Sequence, residues 1–195
     1  MSTMYLIRHG ITEGNEKRLY YGKTDLPLTE QGINAIRERV QKGLYPSNKN
    51  LLLVTSSRRR TEETLFAIYG TVSHRTDPRL DEMDFGVFEM KSYEELKERE
   101  DYQNWISGDN WSNVCPGGES GEQMERRFLE ALADYKDHDT FIVCHGGMIS
   151  AYLWRLFPKD SKRHNFYEWT PKPGEGYKID FENGVPVKYQ TISLR

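Results

Sequence analysis

Thr140-Phe141-Ile142-Val143-Cys144 is a run of five apolar or β-branched residues that breaks at His145-Gly146-Gly147 and resumes as an apolar stretch reaching Phe157. The first part is short and lacks the alternation of a strand with one wet face, so it reads as a strand buried on both sides. The second part is apolar nearly all round, which predicts a deeply buried helix over 147–157. A buried strand, a glycine-rich loop and a buried helix form part of a parallel β–α unit.

The same pattern recurs upstream. Met4–Ile7 and Leu51–Thr55 are short runs rich in Leu, Ile and Val, each followed by a loop and a helical pattern. After the first, Thr29 is placed to cap a helix whose apolar positions are Ile33, Ile36, Val40 and Leu44, closed by Gly43 and Pro46. After the second, residues 61–69 put Leu65, Ile68 and Tyr69 on one face. Before the third, Ser120-Gly121-Glu122-Gln123 reads as a capping box opening a helix with Met124, Phe128, Ala131, Leu132 and Tyr135 inward. Alternation of this kind predicts an α/β fold, a three-layer α/β/α sandwich with a mostly parallel central sheet. The C-terminal part differs: Asn183-Gly184 between two alternating runs, 177–181 and 185–190, signals a hairpin, and Pro186 confines its second strand to a sheet edge or a bulge. Residues 89–119, with an acidic amphipathic helix expected over 93–101, read as an excursion over the active site from a single domain spanning 1–195.

Composition narrows the functional classes. The chain has 195 residues, with 27 Lys+Arg against 30 Asp+Glu and a net charge of −3, which disfavours a nucleic-acid binder. Aromatic residues make up 12%, too many for a disordered chain. Cys115 and Cys144 make neither a disulfide framework nor a zinc spacing. No run is long and apolar enough to span a membrane, and no secretory leader is visible, so a cytoplasmic location is expected.

Ligands of open α/β sheets bind beyond the carboxyl ends of the strands. Arg8, His9, Gly10, Thr12 and Asn15 follow the first strand, Ser56 to Arg60 the second, and His145, Gly146 and Gly147 the third. Two histidines and at least two arginines therefore converge on one crevice of a slightly acidic protein, which points to a small anionic substrate such as a phosphorylated metabolite. A neutral imidazole can attack phosphorus to give a phosphohistidine that water hydrolyses. Arginine forks bind the oxygens over which charge spreads in the transition state. Glycines at a helix start offer backbone N–H groups and the positive end of the dipole. A leaving alkoxide needs a proton, so a carboxyl with a raised pKa must overlook the pocket, and Asp81, Glu82 and Asp84 are the candidates.

The segment Leu6-Ile7-Arg8-His9-Gly10-Ile11-Thr12-Glu13-Gly14-Asn15 resembles the signature of the histidine phosphatase superfamily, in its phosphoglycerate-mutase-like branch. Asp25-Leu26-Pro27-Leu28-Thr29-Glu30-Gln31-Gly32, Ser56–Thr64, Leu80–Gly86, Gly117–Ser120 and Val143–Gly147 follow in the family's order. The resemblance implies His9 as the phosphorylated nucleophile, with Arg8, Arg60 and His145 completing the catalytic phosphate pocket and Asn15 and Gly146 as further phosphate-binding groups. It selects Arg60 over Arg58 and Arg59, which as a basic run would be solvated, and it selects Glu82 as general acid/base. The sequence departs from the family where Phe88-Glu89-Met90 stands for its frequent W-E-G. The implied fold is phosphoglycerate-mutase-like, and the chemistry needs no metal or other cofactor.

Rival motifs fail by inspection. Gly22-Lys23-Thr24 lacks the glycine a P-loop needs five positions before Gly22, and a cysteine phosphatase would need an arginine where Ser150 stands. His9, His145 and Glu82 have types zinc accepts, but two neighbouring arginines would repel the cation. The length and the 89–119 segment resemble the small bacterial phosphatases and the α-ribazole phosphatase subgroup more than the longer glycolytic mutases. A mutase and a non-catalytic phosphate- or protein-binding module remain as alternatives. Tyr20, Tyr21, Tyr93, Trp105 and Trp111 could stack on a substrate ring or belong to the core. His74, His138 and His164 are expected at the surface, and the aromatic edge hairpin could pair with a second copy to make a homodimer.

Overall fold

The structure is a computed structural model that describes residues 1–108, 111–158 and 165–194, so His164 lies outside the described residues. Along the chain run β1 (Ser2–Arg8), the one-turn α1 (Glu13–Glu16), β2 (Leu19–Tyr20), α2 (Glu30–Gln41), β3 (Leu52–Thr55), α3 (Arg59–Tyr69), β4 (Arg75–Thr76) and β5 (Lys91–Ser92). These are followed by α4 (Tyr93–Leu96), α5 (Glu100–Ile106), α6 (Gly121–Tyr135), β6 (Thr140–Cys144), α7 (Gly146–Leu156), β7 (Gly176–Glu182) and β8 (Val185–Ile192).

Six strands form one sheet in the order β4-β3-β6-β1-β7-β8. The first four are parallel to one another, and β7 and β8 are antiparallel additions. Side chains alternate across this sheet as period-2 geometry requires. Met4, Leu6, Val54, Ile142 and Cys144 enter one apolar layer with Met124 and Phe128 of α6 and Ile149 and Leu153 of α7. Ile7, Leu53, Phe141 and Val143 enter the other, with Ile36 of α2 and Leu65 of α3. The result is the expected α/β/α sandwich. All five residues of β6 are buried, which explains why its sequence shows no polar face.

Local signals act where the sequence places them. Thr29 Oγ1 accepts from the Gly32 N–H at 3.1 Å and starts α2. Ser120 and Gln123 cap each other at the start of α6. Burying Met124, Phe128 and Leu132 contributes roughly 1.5–3 kcal/mol per side chain, so packing rather than helix propensity holds α6 in place. Asn183 and Gly184, with φ of 51° and 74°, make the tight turn between β7 and β8. Pro186 lies on the edge strand, beside a register shift at Asp180/Phe181. β1 is longer than its apolar run because β7 pairs with it from Ser2 onward.

Three expectations need correction. The helix expected over 93–101 is broken into α4 and α5, because Arg99 takes extended backbone angles, caps α5 and lays its guanidinium over the Phe88 ring. Val40 falls on the outer side of α2 and is 38% exposed. The final turn of α7 emerges from the core, with Arg155 exposed and paired with Glu125. Residues of the 89–119 segment, including Leu96, Tyr102, Trp105 and Cys115, are buried in the same apolar cluster as β1 and α6. Among the described residues no helix is long and apolar enough to cross a membrane.

Candidate active site

The carboxyl ends of β1, β3 and β6 bring Arg8, His9, Arg60 and His145 together. His9 is 3% exposed, and its ring meets that of His145 edge-on with centroids 5.3 Å apart. The His9 Nδ1 lies 2.7 Å from the Gly10 carbonyl. A carbonyl can only accept, so Nδ1 carries the proton and the lone pair is on Nε2. Burial, and then the charges of Arg60 and Arg8, hold the His9 pKa well below the ordinary imidazole range. The nucleophile candidate is thus neutral and in one tautomer. Its loop is tied down by the Gly10 N–H donating to Thr64 Oγ1 at 2.9 Å, and Thr64 in turn donates to the Arg60 carbonyl.

Arg60 is fully buried. Its Nη1 and Nη2 donate to the carbonyls of Thr24 (3.0 Å) and Gly22 (2.8 Å), and its Nε reaches His145 Nδ1 at 3.3 Å. His145 is left with Nε2–H to donate to Ser56 Oγ at 2.9 Å, and burial beside Arg60 depresses its pKa as well. Arg8 Nη1 donates to the Pro171 carbonyl at 2.9 Å, while its buried Nε has no hydrogen-bond partner among the described residues. Among the described residues neither Arg8 nor Arg60 forms an ion pair with a carboxylate. The buried Arg60 guanidinium and the half-buried Arg8 beside neutral imidazoles make a site whose charge suits an anion. A side chain on Gly146 would stand 3.1 Å from Arg8 Nε, so glycine there leaves room for that guanidinium.

The three acidic candidates separate on their partners. Asp81 is bound by Arg58 (2.7 Å) and by the Ser57 N–H (2.8 Å), and Asp84 faces Lys23 at 3.3 Å and the Gly86 N–H at 2.9 Å. Glu82 has no ion pair among the described residues and accepts only from the N–H groups of Met83 (3.1 Å) and Gly147 (3.3 Å). It is therefore the one of the three without a charged or hydroxyl partner among the described residues. The Gly147 amide, expected to face the anion, is engaged by this carboxylate instead. Asn15 spends its side-chain oxygen on the Thr12 N–H at 3.0 Å in a reciprocal cap, which leaves its NH2 as the available donor.

A cavity of about 1070 Å³ opens beside Glu82 and Gly147. Tyr20, Phe85, Tyr93, Trp105, Trp111, Trp154 and Phe166 line it, whereas His9, Arg8 and Arg60 lie outside its walls. Four of the five aromatic residues singled out in the sequence thus face this space. Tyr21 instead packs against His9 and under Arg60, 5.0 Å from the guanidinium carbon, and bonds Thr12 through its hydroxyl at 2.7 Å. Among the described residues no three His, Cys, Asp or Glu side chains converge to hold a metal ion.

Several supporting residues escaped the sequence reading. Arg58 was expected in solvent with Arg59. Only Arg59 is exposed, while Arg58 is half-buried on Asp81. Glu89, Arg127 and Glu119 bind backbone groups of the loop that holds the Arg60 guanidinium and of the segment carrying Glu82, contacts between segments far apart in sequence that leave no periodicity to detect. Ser120 is a helix cap, Cys144 is a buried strand residue, His138 is exposed, and His74 pairs with Glu62 at the surface.

The chain is similar to known proteins in sequence and in fold. Residues 4–190 match the profile described as Histidine phosphatase superfamily (branch 1). The chain is 31% identical over 160 residues, 78% of its length and 78% of the other, to the adenosylcobalamin/alpha-ribazole phosphatase of Salmonella typhimurium. It is 30% identical over 137 residues, 69% of this chain and 63% of that protein, to the probable phosphoglycerate mutase GpmB of Enterobacter sp.. The crystal structure of the alpha-ribazole phosphatase from Shigella flexneri superposes with a TM-score of 0.79 over 98% of this chain and 96% of that one, at 24% identity, and shares the fold.

Proposed function

The chain belongs to the histidine phosphatase superfamily, and from that membership we propose a metal-independent phosphomonoester hydrolase that works through phosphorylated His9 on an organic phosphate with a bulky ring. The observation that carries it is the pair of guanidinium groups, Arg60 buried and Arg8 half-buried, with no carboxylate partner among the described residues, beside a neutral His9 whose free nitrogen is Nε2.

The phosphate occupies the space between the two arginines, whose donors neutralise charge on its oxygens, with the neutral His145 ring forming part of the wall. His9 Nε2 attacks phosphorus, and the P–O bond to the organic group breaks as Glu82 gives its proton to the departing oxygen. Water then takes the place of that oxygen. Glu82 accepts one of its protons while the P–N bond breaks, and inorganic phosphate leaves with His9 restored. The organic group extends past Glu82 into the aromatic cavity, which suits a ring rather than a small polar chain. Among relatives, the name alpha-ribazole phosphatase fits such a leaving group, so α-ribazole 5'-phosphate is the first substrate to try.

A phosphate-release assay in EDTA tests the reading. p-Nitrophenyl phosphate is run beside α-ribazole 5'-phosphate, sugar phosphates, nucleotides and 3-phosphoglycerate, with His9→Ala as control. Release that survives EDTA and disappears in His9→Ala supports the hydrolase. Exchange between 2- and 3-phosphoglycerate without release makes the protein a mutase and overturns it.

A further inference from the structure

Arg127 of α6 touches none of the reacting groups, yet its guanidinium is committed to the segment that carries Glu82. Nη1 donates to the carbonyls of Arg79 (2.9 Å) and Asp81, and Nη2 donates to the carbonyl of Glu82 itself at 3.0 Å. Glu119 completes the clamp. Its carboxylate accepts from Arg127 Nε at 3.2 Å, from Nη2, and from the Asp84 N–H at 3.0 Å, while its own N–H donates to the Asp84 carbonyl at 3.0 Å. Backbone groups of residues 79, 81, 82 and 84 are thereby fixed from one side. Among the described residues the Glu82 carboxylate accepts hydrogen bonds from two amides alone, at 3.1 and 3.3 Å, so its location follows from where its backbone is held.

We propose that Arg127, braced by Glu119, is the positioning residue for the proton donor. It sets the distance between the Glu82 carboxyl and the departing oxygen without contacting substrate. The inference rests on Glu82 being the general acid. A displacement of about 1 Å at such a group costs on the order of 10²-fold in rate, and the cost falls where a proton is needed. An alkoxide must be protonated as it leaves. A nitrophenolate is stable enough to leave without a proton. Loss of the clamp therefore discriminates between leaving groups, whereas a merely structural role weakens both substrates alike.

The test compares kcat/KM, which covers the steps up to release of the organic product, for benzyl phosphate and p-nitrophenyl phosphate. The variants are Arg127→Met, Arg127→Lys, Glu119→Gln and Glu82→Gln. Arg127→Met is expected to lose about 10²-fold on benzyl phosphate and at least about tenfold less on p-nitrophenyl phosphate. Glu119→Gln shifts the same ratio by less, and Arg127→Lys recovers part of it because an ammonium reaches fewer of the carbonyls at once. If Arg127→Met does not fold, the lysine and Glu119 variants carry the comparison. Equal losses on both substrates in the Arg127 and Glu119 variants, with Glu82→Gln still discriminating, overturn the positioning role alone. Equal losses in Glu82→Gln overturn the general-acid reading and this inference with it.

Discussion

His9 and His145 meet edge-on across 5.3 Å, both buried and both neutral, but the hydrogen bonds at their outer nitrogens give them different characters. The Gly10 carbonyl accepts from the Nδ1–H of His9, which leaves the lone pair on Nε2. Arg60 Nε donates into the Nδ1 pair of His145, whose other nitrogen donates to Ser56. In the proposed mechanism the first ring attacks and the other is held as part of the pocket wall. With two guanidinium groups beside them, protonated imidazoles would add like charge.

This arrangement predicts a pH-dependent stability. The unfolded imidazoles titrate near the ordinary value of about 6.5, while burial and the charges of Arg60 and Arg8 keep the folded His9 well below it, and burial with the Arg60 charge does the same to His145. Above that pH both states are neutral and the pair has no effect. As pH falls below it, the unfolded chain takes up protons the folded chain refuses. Folding then weakens by about 1.4 kcal/mol per histidine per pH unit, until the folded pKa is reached. Denaturant titrations of wild type and His9→Gln between pH 7.5 and 5.5 should differ in slope by one histidine's share. Inorganic phosphate, whose negative charge favours the imidazolium forms, should reduce the wild-type slope. Parallel stability curves for the two proteins contradict the buried neutral His9.

Glu89 gives a second prediction. Its carboxylate accepts from the N–H groups of Gly22 (2.9 Å), Lys23 (3.1 Å), Thr24 (3.0 Å) and Phe85 (3.1 Å), and the carbonyls of Gly22 and Thr24 hold Arg60. The loop is already pressed on the Met83 backbone, for a Cβ on Gly22 would lie 1.6 Å from that carbonyl oxygen. Replacing Glu89 by Ala removes the group that collects these amides and should cost about 2–4 kcal/mol of stability. Arg60 should then bind phosphate less firmly, raising the inhibition constant for vanadate about tenfold or more. Wild-type vanadate inhibition in the variant shows that Arg60 keeps its place without the loop.

What the sequence made legible follows from range. β6, the Ser120 cap and the Asn183-Gly184 turn are specified by residues within a few positions of one another, and His9, Arg60 and His145 sit where strand ends demand function. The Glu89 clamp joins residues 67 positions apart, and Arg127 reaches 45 positions to the Glu82 carbonyl, so neither leaves a local pattern. The break between α4 and α5 was hidden because the acidic pattern of 93–101 continues across it, and only the Arg99 contact to Phe88 shows why the chain turns.

Met90, where the family often has glycine, has φ of 60°, a conformation that strains a residue with a Cβ. Its N–H still donates to the Tyr20 carbonyl at 2.7 Å, so the backbone holds the strained angle to keep that bond. Met90→Gly relieves roughly 1–2 kcal/mol of strain and loses about 0.5–1 kcal/mol through a more flexible unfolded chain. The expected net gain is about 0.5–1 kcal/mol, or about 1–4 °C in Tm for a chain of this size. A lower Tm for the variant means that the Met90 side chain contributes more by packing than its backbone costs.

The cavity makes the sharpest claim about substrates. Ala151 lies one turn of α7 beyond Gly147, is 4% exposed, and shares the cavity wall with Glu82. A phenyl ring at 151 would project into the space assigned to the organic group while leaving His9, Arg8, Arg60 and Glu82 in place. If a ring binds there, Ala151→Phe lowers kcat/KM for benzyl phosphate by about 10–200-fold, the range for altering an apolar pocket by a small group. Ethyl phosphate, too small to need that space, should lose at least about tenfold less. Both substrates require a proton for their alkoxide, so the comparison is independent of Glu82. A matched loss on both means the variant has disturbed the phosphate pocket through α7. No loss on either means the organic group leaves by another route and the aromatic cavity has a different occupant.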